Sequence, residues 1–134
     1  MHNPLQAQVV ALSAAIAHAE GFWVPDALPR QHNNPGDLVG DGSVNHIFNT
    51  RLDGFDALAA KLTRILQGGS VEYPTSLRWT DFAERWTGGD HAGSWCDSVT
   101  DDLNLDPSTR LVDWLLSVPA PAPAPAPDQT TPAS

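Results

Sequence analysis

The chain has 134 residues, 41% of them hydrophobic, which predicts a single globular domain with a modest core. Its formal net charge of -9 argues against nucleic acid as a partner, and no apolar run reaches the ~18 residues that a membrane span needs. With one cysteine and five scattered histidines, the sequence indicates neither an internal disulfide nor a metal site, and we expect no cofactor.

The first predicted helix begins at an Asn3 cap and Pro4, and it ends where Gly21 follows Glu20. Its apolar stripe has spacings of three and four and consists of Leu5, Val9, Leu12, Ile16 and Ala19. No Lys or Arg precedes this apolar segment, as one would in a signal peptide. We therefore expect a core helix, and synthesis in the cytoplasm without a signal peptide.

The middle of the chain predicts a loop over residues 25–36 and a short β-hairpin over residues 38–48, where Asp41-Gly42 is a strong turn pattern. Four more helices follow in the prediction. They cover residues from about 53 to 67, residues 79–86, a segment capped by Asp90 that ends near Asn104, and a segment that begins at Asp106-Pro107. The expected fold is mainly α, with about five helices around one small hairpin.

The end of the chain differs in composition from the rest. Residues 119–127 alternate proline and alanine, which favours extended polyproline II and cannot pack a core. We therefore predict one folded domain over residues 1–117. Residues 118–134 are predicted to be a disordered tail or linker.

Glu20 is the residue best suited to acid chemistry. A carboxylate at a helix C-terminus is disfavoured in its charged form, and the aromatic residues Phe22 and Trp23 that follow can exclude water from it. Both effects favour the protonated acid, which is the form that cleavage of a glycosidic bond requires. The other interpretation of Glu20 is a solvated residue in the last turn of a helix.

Four motifs together resemble the lysozyme-like transglycosylase domains common in bacteriophages and bacteria. They are Glu20-Gly21-Phe22, the segment NNPGDL at residues 33–38, the spacing of Phe48, Gly54 and Leu58, and the segment WTGGD at residues 86–90. The resemblance covers roughly residues 5–116. It implies an α+β lysozyme-like fold, a monomer, and cleavage of the bond between N-acetylmuramic acid and N-acetylglucosamine in peptidoglycan. Such an enzyme acts on the cell wall and can be encoded by a phage or carried in a virion.

The resemblance also implies a mechanism with one carboxyl group. In a lytic transglycosylase, Glu20 would protonate the leaving oxygen and then take a proton from the 6-hydroxyl of the sugar, which gives a 1,6-anhydro product. An inverting hydrolase would instead need a second carboxylate ~6.5–9.5 Å away to activate water. Asp37 and Asp41 are the candidates for that role.

Seven further residues are predicted to contact the sugar chain: Asn33, Asn34, Asp37, Thr50, Tyr73, Trp86 and Thr87. The two asparagines either hydrogen-bond the sugar or shape the turn before Pro35, and each can do one of these. The aromatic rings of Tyr73 and Trp86 suit the apolar face of a pyranose ring, whereas Trp95 is predicted to be core. Two alternatives stay open: a non-catalytic virion or wall-binding module with the same fold, and a hydrolase of chitin-like polymers.

Overall fold

The structure is a computed structural model that describes residues 4–38 and 46–117 of the chain. Helices make up 59% of these residues, which confirms the predicted mainly α class. The six helices are α1 (Pro4–Ala19), α2 (Leu28–Gln31), α3 (Arg51–Leu66), α4 (Trp79–Thr87), α5 (Ala92–Leu103) and α6 (Leu111–Ser117). No helix in the described part of the chain is long and apolar enough to cross a bilayer.

Helix α1 lies at the centre of the packing, against both α3 and α5, and α5 also packs against α4. Its predicted stripe forms part of the core, since Leu12 and Ile16 are fully buried and Val9 nearly so. Each of the other long helices contributes side chains to the same cluster. Among them are Leu58, Leu62, Phe82, Val99 and Leu111. Burial of one such side chain stabilises the fold by about 1.5–3 kcal/mol.

Two helix starts differ from the prediction. Helix α5 begins after His91, which adopts a left-handed backbone conformation at the N-cap position, and not after a cap by Asp90. Helix α6 begins at Leu111 and not at Asp106-Pro107, because the Asp106 carboxylate accepts hydrogen bonds from the backbone N–H (2.8 Å) and hydroxyl (2.7 Å) of Ser108. These bonds hold residues 106–108 in a turn. Helix α2 is a single turn inside the segment predicted to be loop.

The predicted hairpin is not shown. Its turn falls in residues 39–45, outside the described residues, and Asp41 lies there too. No strand occurs in residues 4–38 or 46–117, although the His46 N–H donates to the Leu38 carbonyl (2.9 Å) and so joins the two flanks of this segment. The predicted tail, residues 118–134, also lies outside the described residues.

Candidate active site at the end of the first helix

Glu20 occupies the C-cap position of α1. The Gly21 N–H donates to the His18 carbonyl (3.1 Å) and the Phe22 N–H donates to the Ala17 carbonyl (3.0 Å), which together form a Schellman motif. Gly21 has the left-handed conformation that this motif requires (φ 74°). Phe22 is then fully buried and anchors the turn. The backbone of Glu20 is therefore fixed on both sides.

The Glu20 side chain is half-buried and hydrogen-bonded. The Trp95 indole N–H, from α5, donates to Glu20 Oε2 at 2.9 Å. The pKa of Glu20 is raised from its ordinary 4.5 to about 7, mainly by burial. The hydrogen bond from Trp95 lowers this pKa, the negative charge of Asp37 raises it, and Trp86, the smallest of these effects, lowers it. This carboxyl group is consequently part protonated and part ionised at neutral pH.

Asn34 organises the loop that faces Glu20. Its side chain is fully buried, and its amide donates to the carbonyls of Leu38 and His46, each at 2.9 Å. Its Oδ1 accepts from the Leu38 N–H at 2.8 Å. Asn33 lies beside it and donates from Nδ2 to the Phe48 carbonyl (3.0 Å). Both asparagines therefore have the turn-shaping role, and the loop they hold carries Asp37.

An aromatic wall stands next to this loop. The Trp86 indole stacks on Phe82 (centroids 5.4 Å apart, 14° between planes) and on Trp95 (6.1 Å, 27°). Its N–H donates to the Gly36 carbonyl at 3.1 Å, which ties α4 to the loop. Tyr73 lies beside Trp86, and its pKa is raised to about 12 by burial and by the charge of Glu72, with Arg85 opposing. The Tyr73 hydroxyl is therefore neutral at physiological pH.

A groove leads away from this wall. One cavity of about 230 Å³ is lined by Asp37 and Trp86, both of which also act on the Glu20 carboxyl group. A second cavity, of about 630 Å³, continues from it, because Lys61, Glu72 and Tyr73 line both. We call these two cavities together the 37–73 groove. Glu20 does not itself line either cavity, but Asp37 and Trp86, which line the smaller one, both act on its carboxyl group.

The predicted site residues divide into two sets. Asp37, Tyr73 and Trp86 line the groove, and Asp37 and Trp86 also act on the Glu20 carboxyl group. Thr50 does not line the groove. Its side-chain oxygen accepts a hydrogen bond from the Asp53 N–H (3.0 Å) and caps α3. The Thr87 hydroxyl donates to the Ala83 carbonyl (2.8 Å) and accepts from the Gly89 N–H (3.2 Å), so it closes the end of α4.

Trp23 lies outside the groove. It is 53% exposed and lines a separate apolar cavity together with Phe55 and residues of α1. Phe22, by contrast, packs edge-on against both Trp23 and Phe55.

Two residues of the site were missed in the sequence. Trp95 was assigned only to the core, although a buried indole N–H needs an acceptor, and that requirement pointed to a polar partner. Lys61 was not considered, although its ammonium group lies over the rings of Trp86 (5.0 Å) and Tyr73 (5.5 Å). Among the described residues, no three His, Cys, Asp or Glu side chains converge in a way that could hold a metal ion.

No family model, curated protein or solved structure matches the chain.

Proposed function

We propose that this chain is a peptidoglycan-cleaving glycosidase of the lytic transglycosylase type, with Glu20 as its acid and base. The observation that carries the proposal is the environment of Glu20: a half-buried carboxyl group with a pKa of about 7, hydrogen-bonded by Trp95 and next to two residues, Asp37 and Trp86, that line a groove. A general acid works best when its pKa lies near the operating pH. The motifs that resemble lysozyme-like transglycosylases support the same assignment.

In the proposed reaction Glu20 first donates its proton to the glycosidic oxygen between N-acetylmuramic acid and N-acetylglucosamine. The bond from C1 to that oxygen breaks, and the departing sugar leaves as an alcohol. The 6-hydroxyl of the muramic acid then attacks C1, and the Glu20 carboxylate takes the hydroxyl proton. The product is a 1,6-anhydro end, the acid is regenerated, and no water is consumed.

A hydrolytic route is the second candidate, and Asp37 favours it. Asp37 lies close enough to Glu20 for its charge to raise the pKa of that carboxyl group, and it lines the same cavity. An inverting glycosidase uses a second carboxylate to activate water on the other face of the sugar. Asp37 is the only one of the two sequence candidates that lies within the described residues.

The experiment is digestion of purified peptidoglycan by the full chain and by Glu20→Gln, with products identified by mass spectrometry. We expect the wild type to release anhydro-muropeptides. Glu20→Gln keeps an acceptor for the Trp95 N–H but cannot donate a proton as an acid, so we expect a loss of at least about 100-fold. Glu84→Gln, which removes an exposed carboxylate outside the groove, is the matched control and should retain activity.

Each other result has a definite meaning. Products heavier by one water would replace the transglycosylase with a hydrolase and make Asp37→Asn the next variant. Cleavage that survives Glu20→Gln would show that another group is the acid. No cleavage of peptidoglycan or of chitin oligomers by the wild type would favour a non-catalytic wall-binding module.

A further inference from the structure

The 37–73 groove holds a concentration of positive charge that is unusual for this chain. Three of the seven Lys and Arg residues line its two cavities: Lys61, Arg64 and Arg85. Two acids, Asp37 and Glu72, share the groove, but most of the 16 acidic residues lie elsewhere. A neutral polysaccharide could accept hydrogen bonds from these groups, whereas an anionic one would also gain from attraction between opposite charges.

The two arginines are engaged with the protein backbone. Arg64 donates from Nε to the Gly69 carbonyl at 3.1 Å, and Arg85 donates from Nη1 to the Glu72 carbonyl. These contacts hold the segment 69–72, which forms one side of the groove. The two guanidinium groups therefore stabilise the groove wall through backbone hydrogen bonds.

Lys61 differs from them. It is exposed, and its ammonium group lies over the faces of Trp86 and Tyr73. A cation–π contact orients an ammonium group without using its three N–H donors. In the described part of the chain the one ion pair is between His18 and Asp102, so Lys61 forms no direct ion pair there, although Asp37 and Glu72 line the same groove. Lys61 is thus a positioned cation with donors available to a ligand in the groove.

We propose that Lys61 is a specificity-determining residue that binds a carboxylate carried by a muramic acid residue of the substrate. The carboxylate belongs either to the lactyl group of the sugar or to the peptide that extends from it. Trp86, whose ring lies under the Lys61 ammonium group and which also acts on the Glu20 carboxyl group, connects Lys61 to the proposed acid. The inference rests on the proposed function and extends it, because it separates anionic peptidoglycan from neutral chitin-like polymers as the preferred substrate.

The test measures binding by isothermal titration calorimetry at about 0.15 M salt, where long-range repulsion from the acidic chain is screened, with the full chain carrying Glu20→Gln. Three soluble glycan strands are compared: peptide-free strands with lactyl carboxylates, the same strands with those groups amidated, and strands with intact peptides. We expect a carboxylate-bearing strand to bind about fivefold to tenfold more tightly than the amidated strand, as for one charge-assisted hydrogen bond. The advantage should disappear in Lys61→Gln and persist in Lys61→Arg. Arg110→Gln, the same charge change on an exposed residue outside the groove, should leave it intact.

The outcomes separate the proposals. A Lys61-dependent advantage on peptide-free strands assigns the lactyl carboxylate, and one confined to strands with peptides assigns the peptide. Equal affinity for all three strands, or equal weakening of all three by Lys61→Gln, would reduce Lys61 to a packing role and overturn the inference. Cleavage by the wild-type chain is followed separately on the same strands. Charge-dependent binding without cleavage would overturn the proposed chemistry alone.

Discussion

The pKa of the Glu20 carboxyl group is set mainly by two opposing effects, burial and a hydrogen bond. Burial at the helix end raises its pKa, and the Trp95 N–H stabilises the ionised form and lowers it, with a balance at about 7. A pKa at this value lets one group act first as an acid and then as a base near neutral pH. The sequence predicted the direction of this shift but attributed it to the helix end, Phe22 and Trp23, whereas burial is its largest cause and Trp23 is 53% exposed. The indole donor was not predicted.

The raised pKa has a consequence for stability. The shift from 4.5 to about 7 corresponds to roughly 3 kcal/mol, because the folded state disfavours the ionised group. The folded protein binds the Glu20 proton more tightly than the unfolded chain does. The contribution is therefore fully present below about pH 4.5 and is lost as the pH rises through about 7. Glu20→Gln mimics the neutral acid and should escape this loss.

We expect Glu20→Gln and the wild type to have similar free energies of unfolding at pH 5, and the variant to be more stable by up to about 3 kcal/mol at pH 8. Urea denaturation at the two pH values measures the difference. Glu72→Gln, at an exposed carboxylate, should change stability by less than about 0.5 kcal/mol at either pH. A Glu20→Gln variant that is no more stable at pH 8 than at pH 5, relative to wild type, would contradict a raised pKa.

Trp95→Phe and Asp37→Asn should move the pKa of Glu20 in opposite directions. Loss of the indole donor removes an effect that lowers the pKa, so the basic limb of the kcat/KM profile should shift to higher pH. Loss of the Asp37 charge removes an effect that raises the pKa, so that limb should shift to lower pH. The profiles of both variants against the wild type provide the measurement.

A structural effect of the smaller ring must be separated from the electrostatic one. Trp95→Phe leaves a cavity and should cost about 2 kcal/mol of stability. Trp114→Phe makes the same change at a buried tryptophan of α6 that packs against Trp79 and does not act on the Glu20 carboxyl group. It should cost a similar amount of stability without shifting the pH profile. Shifts of equal sign in Trp95→Phe and Asp37→Asn would refute the assignment of these contacts.

At the level of elements, the helices were predictable where apolar spacing and a glycine stop agree. The spacing of Leu58, Leu62 and Ile65 indicated α3, and its glycines at 68 and 69 follow its end, as predicted. Helix α2 was missed because a single turn with a proline inside a polar loop gives no apolar period. The start of α6 was predicted too early because a residue pair such as Asp106-Pro107 begins turns as readily as helices.

Gly54 fixes the distance between α3 and the loop that carries Asp37. A Cβ at this position would lie 1.7 Å from the Asn33 carbonyl oxygen, which is a backbone atom and cannot rotate away. The helix and the loop would have to separate. We expect Gly54→Ala to lower the free energy of unfolding by at least about 3 kcal/mol.

The control for this variant is Gly93→Ala in α5, where a Cβ would meet nothing within 4 Å. That substitution should be neutral or should stabilise the helix by up to about 1 kcal/mol. Thermal and urea unfolding of both variants measure the contrast. A Gly54→Ala protein as stable as Gly93→Ala would show that the loop does not pack on α3 as described.

At the level of the whole molecule, the candidate site could be predicted only as far as local sequence reaches. Glu20 is specified by its own helix end, and the loop at 33–38 by its own turn residues. The partners Trp95 and Lys61 are separated from Glu20 along the chain and join it only through the packing of α5 on α1 and the groove beside α3. The apolar periodicity of a single helix predicts which of its residues are buried. It does not predict which side chains of other helices they contact.

The net charge of the chain leads to a last prediction, about salt. A protein with a formal charge of -9 and an acidic wall polymer repel each other over a screening length of about 30 Å at 0.01 M salt, which falls to about 8 Å at 0.15 M. Encounter with insoluble sacculi should therefore speed up several-fold over this range. The contact of Lys61 with a carboxylate is weakened less, because two groups in contact are much closer together than the screening length. The measurement is the initial rate of muropeptide release at limiting substrate. Amidated soluble strands, which lack the charge, serve as the control and should be cleaved at rates that change little with salt. A rate on sacculi that falls steadily with salt would mean that the groove cations, and not the net charge, govern the encounter.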